Sequence, residues 1–201
     1  MRLLLTLAVA TLAFSPCRAE RTIELVPVIG IRNGLDLSSS TPGVPPAEAD
    51  ASGTIGFGVN VQIRPDGWFE SFLDHQSLSF AGNAGGSQVT RFDVAVDYLQ
   101  FGGRYQPSEG RVHPFVSAAI GLTRFGSNPG DVGNSLGLSG SLGGGVQIPI
   151  SQRTAFHLEV RGYATIDDAA FAVACGPGCV AVFSGSGWYQ FGARAGLAFR
   201  M

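Results

Sequence analysis

Lysine is missing from this sequence: all 13 basic residues are arginines, set against 15 acidic residues and a formal net charge of −2. No basic run occurs, which argues against nucleic acid as a partner. Cysteine is scarce, with three in 201 residues, and beside the close pair Cys175 and Cys179 no third or fourth metal ligand sits nearby. Long apolar runs are equally scarce. Beyond the first twenty residues no stretch reaches the ~20 apolar residues of a spanning helix, so any membrane reading must rest on strands. What the chain has instead is glycine, 29 residues of it. Leu, Ile and Val sit in short alternating runs rather than helical stripes.

The single apolar run, Leu3–Phe14, follows Arg2 and precedes Ser15 and Pro16. With Cys17-Arg18-Ala19 it reads as a signal peptide, Met1–Ala19, cut before Glu20. Bulky Phe14 and Pro16 disfavour lipidation at Cys17. One domain, Glu20–Met201, remains. Its two cysteines, Cys175 and Cys179, bracket Gly-Pro-Gly, and in an oxidising compartment that even pair reads as a disulfide.

Eight alternating segments follow: about Thr22–Arg32, Ser52–Arg64, Trp68–Phe80, Thr90–Tyr105, Val112–Phe125, Ser135–Ile150, Thr154–Ile166 and Ser186–Met201. Their links are by turns long and short. Pro65-Asp66-Gly67 and Ser151-Gln152-Arg153 are tight turns by composition, whereas Asn33–Ala51 and Asp167–Gly185 are long. The last segment sets Tyr189, Phe191, Ala193, Ala195, Leu197 and Phe199 on one face and Gln190, Gly192, Arg194, Gly196, Ala198 and Arg200 on the other. Arginine on a lipid face at the bilayer midplane costs roughly 2–4 kcal/mol, so the Arg194 face must point inward.

The same alternation marks the second, sixth and seventh segments. The third is ambiguous, because Trp68, Phe69, Phe72 and Leu73 do not share a parity; a bulge near Phe72 would reconcile them. Aromatics gather toward strand ends in two expected belts. Trp68, Phe69, Tyr105, Phe115, Phe156 and Phe199 mark the turn side; Phe57, Phe80, Phe92, Phe125, Trp188 and Tyr189 mark the loop side. A soluble barrel would place its apolar face inward, and a core holding this many charges would carry a heavy desolvation cost. The expected fold is therefore all-β: an eight-stranded antiparallel up-and-down transmembrane β-barrel, with short turns and both termini periplasmic and long loops extracellular.

Several stretches together resemble a known family: Tyr98-Leu-Gln-Phe-Gly-Gly-Arg-Tyr105, His113–Phe125, His157-Leu-Glu-Val-Arg-Gly-Tyr163, Cys175-Gly-Pro-Gly-Cys179, Gly187-Trp-Tyr-Gln-Phe191 and the ending Gly196-Leu-Ala-Phe-Arg200. They are similar to small proteobacterial outer-membrane β-barrel proteins related in fold to OmpA, OmpX and OmpW. The resemblance implies export to the outer membrane, insertion by barrel-assembly machinery, and no assigned reaction. Such barrels usually finish on an aromatic residue; here Met201 follows Phe199, which keeps the parity.

Two places could hold chemistry. Inside the barrel, Glu159, Arg161 and Arg194 should form a polar network with Asp93, Asp97 and Glu24. An eight-stranded barrel is only wide enough for its side chains to fill, so this network reads as a structural plug. The second is His75-Gln76-Ser77, which resembles the membrane-facing His-x-Ser of lipid A deacylase barrels. Leu78 stands where that family has Asn, Asp74 has the wrong parity, and spacing alone supplies no acid. His113 and His157 read as interfacial or lumen-lining residues, without ligand spacing.

The function expected is non-enzymatic, without metal or cofactor: a monomeric barrel with a filled lumen and a structural or surface role through its outward loops. Outer-membrane lipid and lipopolysaccharide are the expected neighbours, with Arg32, Arg91 and Arg124 at the rim as phosphate contacts. A narrow OmpW-like passage for small or hydrophobic molecules, and lipid A hydrolysis at His75 and Ser77, are the alternatives.

Overall fold

The computed structural model describes residues 22–33, 36–37, 47–83, 89–107, 110–127, 135–166, 170–176, 179–184 and 188–201. For 36–37, 47–49, 80–83, 89–92, 127, 135, 170–176 and 179–184 it describes the backbone alone. The leader Met1–Ala19 lies outside the described residues.

Eight strands form the wall: β1 (Ile23–Arg32), β2 (Ser52–Arg64), β3 (Gly67–Asn83), β4 (Val89–Tyr105), β5 (His113–Ser127), β6 (Ser135–Pro149), β7 (Thr154–Ile166) and β8 (Trp188–Arg200). Each pairs antiparallel with its sequence neighbours, and β8 pairs back onto β1, for example Arg194 with Gly30. Closure leaves no sheet edge, so every ladder group can be satisfied without water. Register partners run from Glu24 through Asn60, Glu70, Gly102, Ala119, Ser141 and Tyr163 to Gln190. Next to Gln190, Phe191 bonds Asn33 on the first strand's far side, well beyond Glu24. That stagger is the strand tilt a closed barrel requires.

The wall is inverted relative to a soluble protein. Ile29, Ile55, Leu99, Ile120, Leu142 and Phe191 are exposed on its outside, while Glu24, Arg32, Arg104, Glu159 and Arg161 are buried within. Water would penalise so continuous an apolar belt and a bilayer solvates it, which is the transmembrane barrel arrangement. Several inward positions admit only glycine. A Cβ at Gly102, Gly121, Gly145 or Gly196 would collide with a backbone oxygen of the adjoining strand. These glycines let the wall of a small barrel bend sharply.

The third strand needs no bulge. Its register against β4 is unbroken from Gly67 to Asn83, and the one shift against β2 lies at Gln62–Arg64, beside the turn. Trp68, Glu70, Phe72, Asp74, Gln76 and Leu78 face inward, whereas Phe69, Leu73, His75 and Ser77 face outward. The aromatic belts are also thinner than expected. Trp68, Phe115, Phe125 and Trp188 are buried in the lumen, which leaves Phe69, Tyr105, Phe57 and Tyr189 among those outside. One arginine, Arg104, lies over the rings of both Trp68 and Phe115, so those rings occupy the lumen as partners of charge.

Two links carry secondary structure of their own. Within the first long link, Asp36–Leu37 pairs with Ala47–Ala49, which adds to the loop end of β3 through Glu48–Ala81 and Ala49–Phe80. The last link holds a separate ribbon, Ala170–Gly176 against Cys179–Ser184. The side chains of Cys175 and Cys179, and so the disulfide, lie outside what is described.

Candidate functional site

Among the described residues, the lumen holds three tiers of paired charge. At the turn end Glu24 sits at the centre: Arg104 reaches its Oε2 at 2.5 Å and Arg200 its Oε1 at 3.0 Å. Asn60 and Gln147 donate to the same carboxylate at 3.3 and 3.2 Å. Gln147 in turn accepts from Gln106 and Arg200. The Arg104 guanidinium lies 4.9 Å from the Trp68 ring centroid and 5.5 Å from that of Phe115.

At mid-height Glu159 stands between two arginines, 2.6 Å from Arg161 and 2.6 Å from Arg194, with His157 Nε2 at 3.3 Å. Arg161 spans the lumen to Glu70 and also donates to Ser117 and Ser141. The Phe72 ring is flanked by both guanidiniums, 4.3 Å from Arg161 and 4.8 Å from Arg194.

In the third tier Arg32 pairs with Asp74 at 2.5 Å, and Tyr163 donates to the same carboxylate at 3.1 Å. Arg32 also lies against the rings of Tyr98 and Tyr163. Above it, Tyr98 donates to Gln190, and Gln190 donates to Gln76. Phe125 and Trp188 meet ring to ring, their centroids 5.8 Å apart. A cavity of about 10 Å³ beside Phe72, His157 and Arg194 holds one water at most.

Chemically this interior is a set of neutralised charges. Charge-assisted bonds between guanidinium and carboxylate neutralise these buried ions without a ligand, while Nε and Nη1 of Arg32 and Arg104 and Oδ1 of Asp74 have no hydrogen-bond partner among the described residues. Among the described residues, each lumen carboxylate (Glu24, Glu70, Asp74 and Glu159) has an arginine against it. Among the described residues no three His, Cys, Asp or Glu side chains group as a metal site.

The structure brings Glu24, Glu159, Arg161 and Arg194 together in the lumen, though Glu24 belongs to the turn-end tier. Asp93 and Asp97 do not join them; their side chains point outward from β4. The physical reason is parity. Arg104, two-fold alternate with Tyr98 and Gln100, is bonded to Glu24 inside, which forces the odd residues of β4 out. Arg32 is likewise no rim residue, being buried against Asp74. Arg124 is exposed on the outer face, and the Arg91 side chain is outside the described residues. Sequence reasoning set Asp74 on the face opposite His75 and Ser77, as found, but placed none of Glu70, Asp74 and Arg104 in the lumen network.

The outward turn of Asp97 gives His75 a partner. His75 Nδ1 lies 2.6 Å from Asp97 Oδ1, and Ser77 Oγ lies 3.3 Å from His75 Nε2. Strand pairing creates this chain of contacts: His75 is register partner to Asp97, and Ser77 is the next residue on the same face. Alongside, Ser79 donates to Asp93 at 2.6 Å, and Arg124 is register partner to Asp97 on the other side.

No family model matches this chain, and no curated protein does. Solved structures do. The fold is similar to that of Neisserial surface protein A, with a TM-score of 0.57, 12% sequence identity, and 90% of this chain and 97% of that one covered. It is also similar to the outer membrane protein OprG from Pseudomonas aeruginosa, with a TM-score of 0.60, 13% identity, and coverage of 90% and 95%. The resemblance to small outer-membrane barrels thus holds at the level of fold.

Proposed function

We propose that this protein is an integral barrel of the bacterial outer membrane whose lumen is a structural plug, so that its work is done at its outer surface. The observation that carries this reading is the three-tier network. Glu24, Glu70, Asp74 and Glu159 are each matched by arginine inside the barrel, and the cavity beside Phe72, His157 and Arg194 is about the size of one water. A passage for small or hydrophobic molecules would need those bridges to part together. Breaking one buried pair alone costs roughly 3–5 kcal/mol.

The apolar belt and the outer-membrane neighbours support the location. The short turns and both termini would face the periplasm, with the long links outside. The signal peptide ending at Ala19 and insertion by the barrel-assembly machinery belong to the same reading. Lipid and lipopolysaccharide surround such a barrel, and Arg124, exposed toward the loop end, is suited to their phosphates.

Single-channel recording of the refolded mature protein in a planar bilayer tests the plug, with the heat-induced gel shift as the control for folding. Folded protein should give no steps. Reproducible steps whose size changes in Arg161→Ala would instead establish a conducting lumen.

A further inference from the structure

We infer that Ser77, His75 and Asp97 form a hydrolytic site on the outside of the barrel, acting on the ester bond of an acyl chain in the surrounding leaflet. This goes beyond the plug reading and is independent of it, since a silent lumen and an active outer face can be measured separately.

Three observations converge. The first is connectivity. Asp97 holds the Nδ1 side of His75 at 2.6 Å, and Ser77 Oγ meets the Nε2 side at 3.3 Å. With Nδ1 donating to the carboxylate, Nε2 keeps its lone pair toward the serine hydroxyl, the arrangement in which imidazole acts as base. The Oγ–Nε2 separation is long for a hydroxyl bond but ordinary for a nucleophile without substrate.

The second is placement. Histidine and aspartate on a lipid-facing wall gain nothing from burial and are costly in hydrocarbon. The His75 and Asp97 side chains are 46% and 30% exposed, so they do not plug an interior. Ser77 comes about ten residues above the turn at Gly67, and a tilted strand crosses the hydrocarbon in roughly 9–11 residues. The serine therefore stands where acyl chains meet their head groups.

The third is a bed for the chain. His75 borders an apolar groove of about 580 Å³ whose walls include Ile55, Phe57, Leu73, Leu197 and Phe199. The groove runs from His75 toward the turn end, the direction an acyl chain takes into the bilayer. Its occupant is an ester-linked long-chain acyl group. Arg124, register partner to Asp97, adds a cation on the head-group side.

The reaction balances with water alone. Ser77 Oγ attacks the ester carbonyl carbon as its proton passes to His75 Nε2. The carbon–oxygen bond to the alcohol then breaks, and the alcohol leaves with that proton. Water attacks the acyl-serine, giving a proton to Nε2 that returns to Oγ as the fatty acid departs. Ser77 and His75 are the catalytic residues; Asp97 is a positioning residue.

The test uses refolded mature protein in two vesicle preparations, one of phosphatidylethanolamine and phosphatidylglycerol, the other with added lipopolysaccharide. Released fatty acid is measured by mass spectrometry, together with the mass of Ser77-containing peptide after treatment with a long-chain fluorophosphonate. Release should fall on the order of 10³-fold or more in Ser77→Ala and in His75→Gln, with the heat-induced gel shift unchanged. Asp97→Asn should lower kcat with KM unaltered, and Asp97→Glu should recover part of it. Release only with lipopolysaccharide makes a glycolipid ester the substrate; release from both makes it the glycerol ester as well. No fatty acid from either preparation and no adduct on Ser77, or release that persists in Ser77→Ala, overturns the proposal.

Discussion

Glu159→Gln is the sharpest perturbation of the lumen. The carboxylate it removes is nearly inaccessible at 3% exposure and holds Arg161 and Arg194, each at 2.6 Å. Without it Arg161 keeps Glu70, but Arg194 is left with Asp74 at 3.7 Å, and Asp74 is already committed to Arg32. One guanidinium is thereby stranded in a closed interior, which costs roughly 3–5 kcal/mol. At a urea dependence of about 2 kcal/mol per molar, the unfolding midpoint should drop by roughly 1.5–2.5 M. Trp68 and Trp188 both face the lumen, so tryptophan fluorescence of the vesicle-embedded protein reports the transition directly. Adding Arg194→Gln should return part of the loss, with a coupling of about 1–3 kcal/mol. A midpoint within about 0.5 M of the parent, or strict additivity of the two changes, would refute the view that this carboxylate keys the interior.

Gly143→Val should destabilise the barrel by roughly 1–3 kcal/mol, because a Cβ there meets Glu159 Oε1 and Ser117 Oγ; a denaturation curve matching the parent would contradict the packing. Ile120→Arg places a charge on the apolar belt at a position 73% exposed and should cost roughly 2–4 kcal/mol, seen as reduced yield of the heat-modifiable band on refolding into vesicles. Cys175 and Cys179 should be joined in exported protein, so alkylation without reductant should add no mass; two labelled thiols would rule the bridge out.

The strands whose inward residues are mostly small or polar were legible from sequence. On β8, Gln190, Arg194 and Arg200 alternate cleanly with Tyr189, Phe191 and Leu197, and the structure sets them on the expected faces. Ser52–Arg64 and Thr154–Ile166 match to the residue. The third strand was not legible because its lumen side mixes Trp68 and Phe72 with Glu70 and Asp74. In so narrow a barrel a ring lying against guanidinium fills space as well as a polar chain does, so hydropathy loses its period of two. Asp93 and Asp97 were misplaced by assuming that charge always points inward. Arg104 has the opposite parity to both, so one set had to face lipid, and arginine is the costlier outside. The His75–Asp97 contact joins residues 22 apart; it exists only through the register of two adjacent strands, which spacing alone does not supply.

The phase of β3 decides both halves of this picture: Glu70 and Asp74 build the lumen network, and His75 and Ser77 the outward site. Spin labels placed singly from Phe69 to Ser77, in protein whose native cysteines are replaced, would read that phase by relaxation with membrane-soluble oxygen and a water-soluble nickel chelate. Oxygen access should alternate, high at Phe69, Ser71, Leu73, His75 and Ser77 and low at Glu70, Phe72, Asp74 and Gln76. A break in that alternation near Phe72, or its reversal beyond it, would contradict the inward network and the outward triad together.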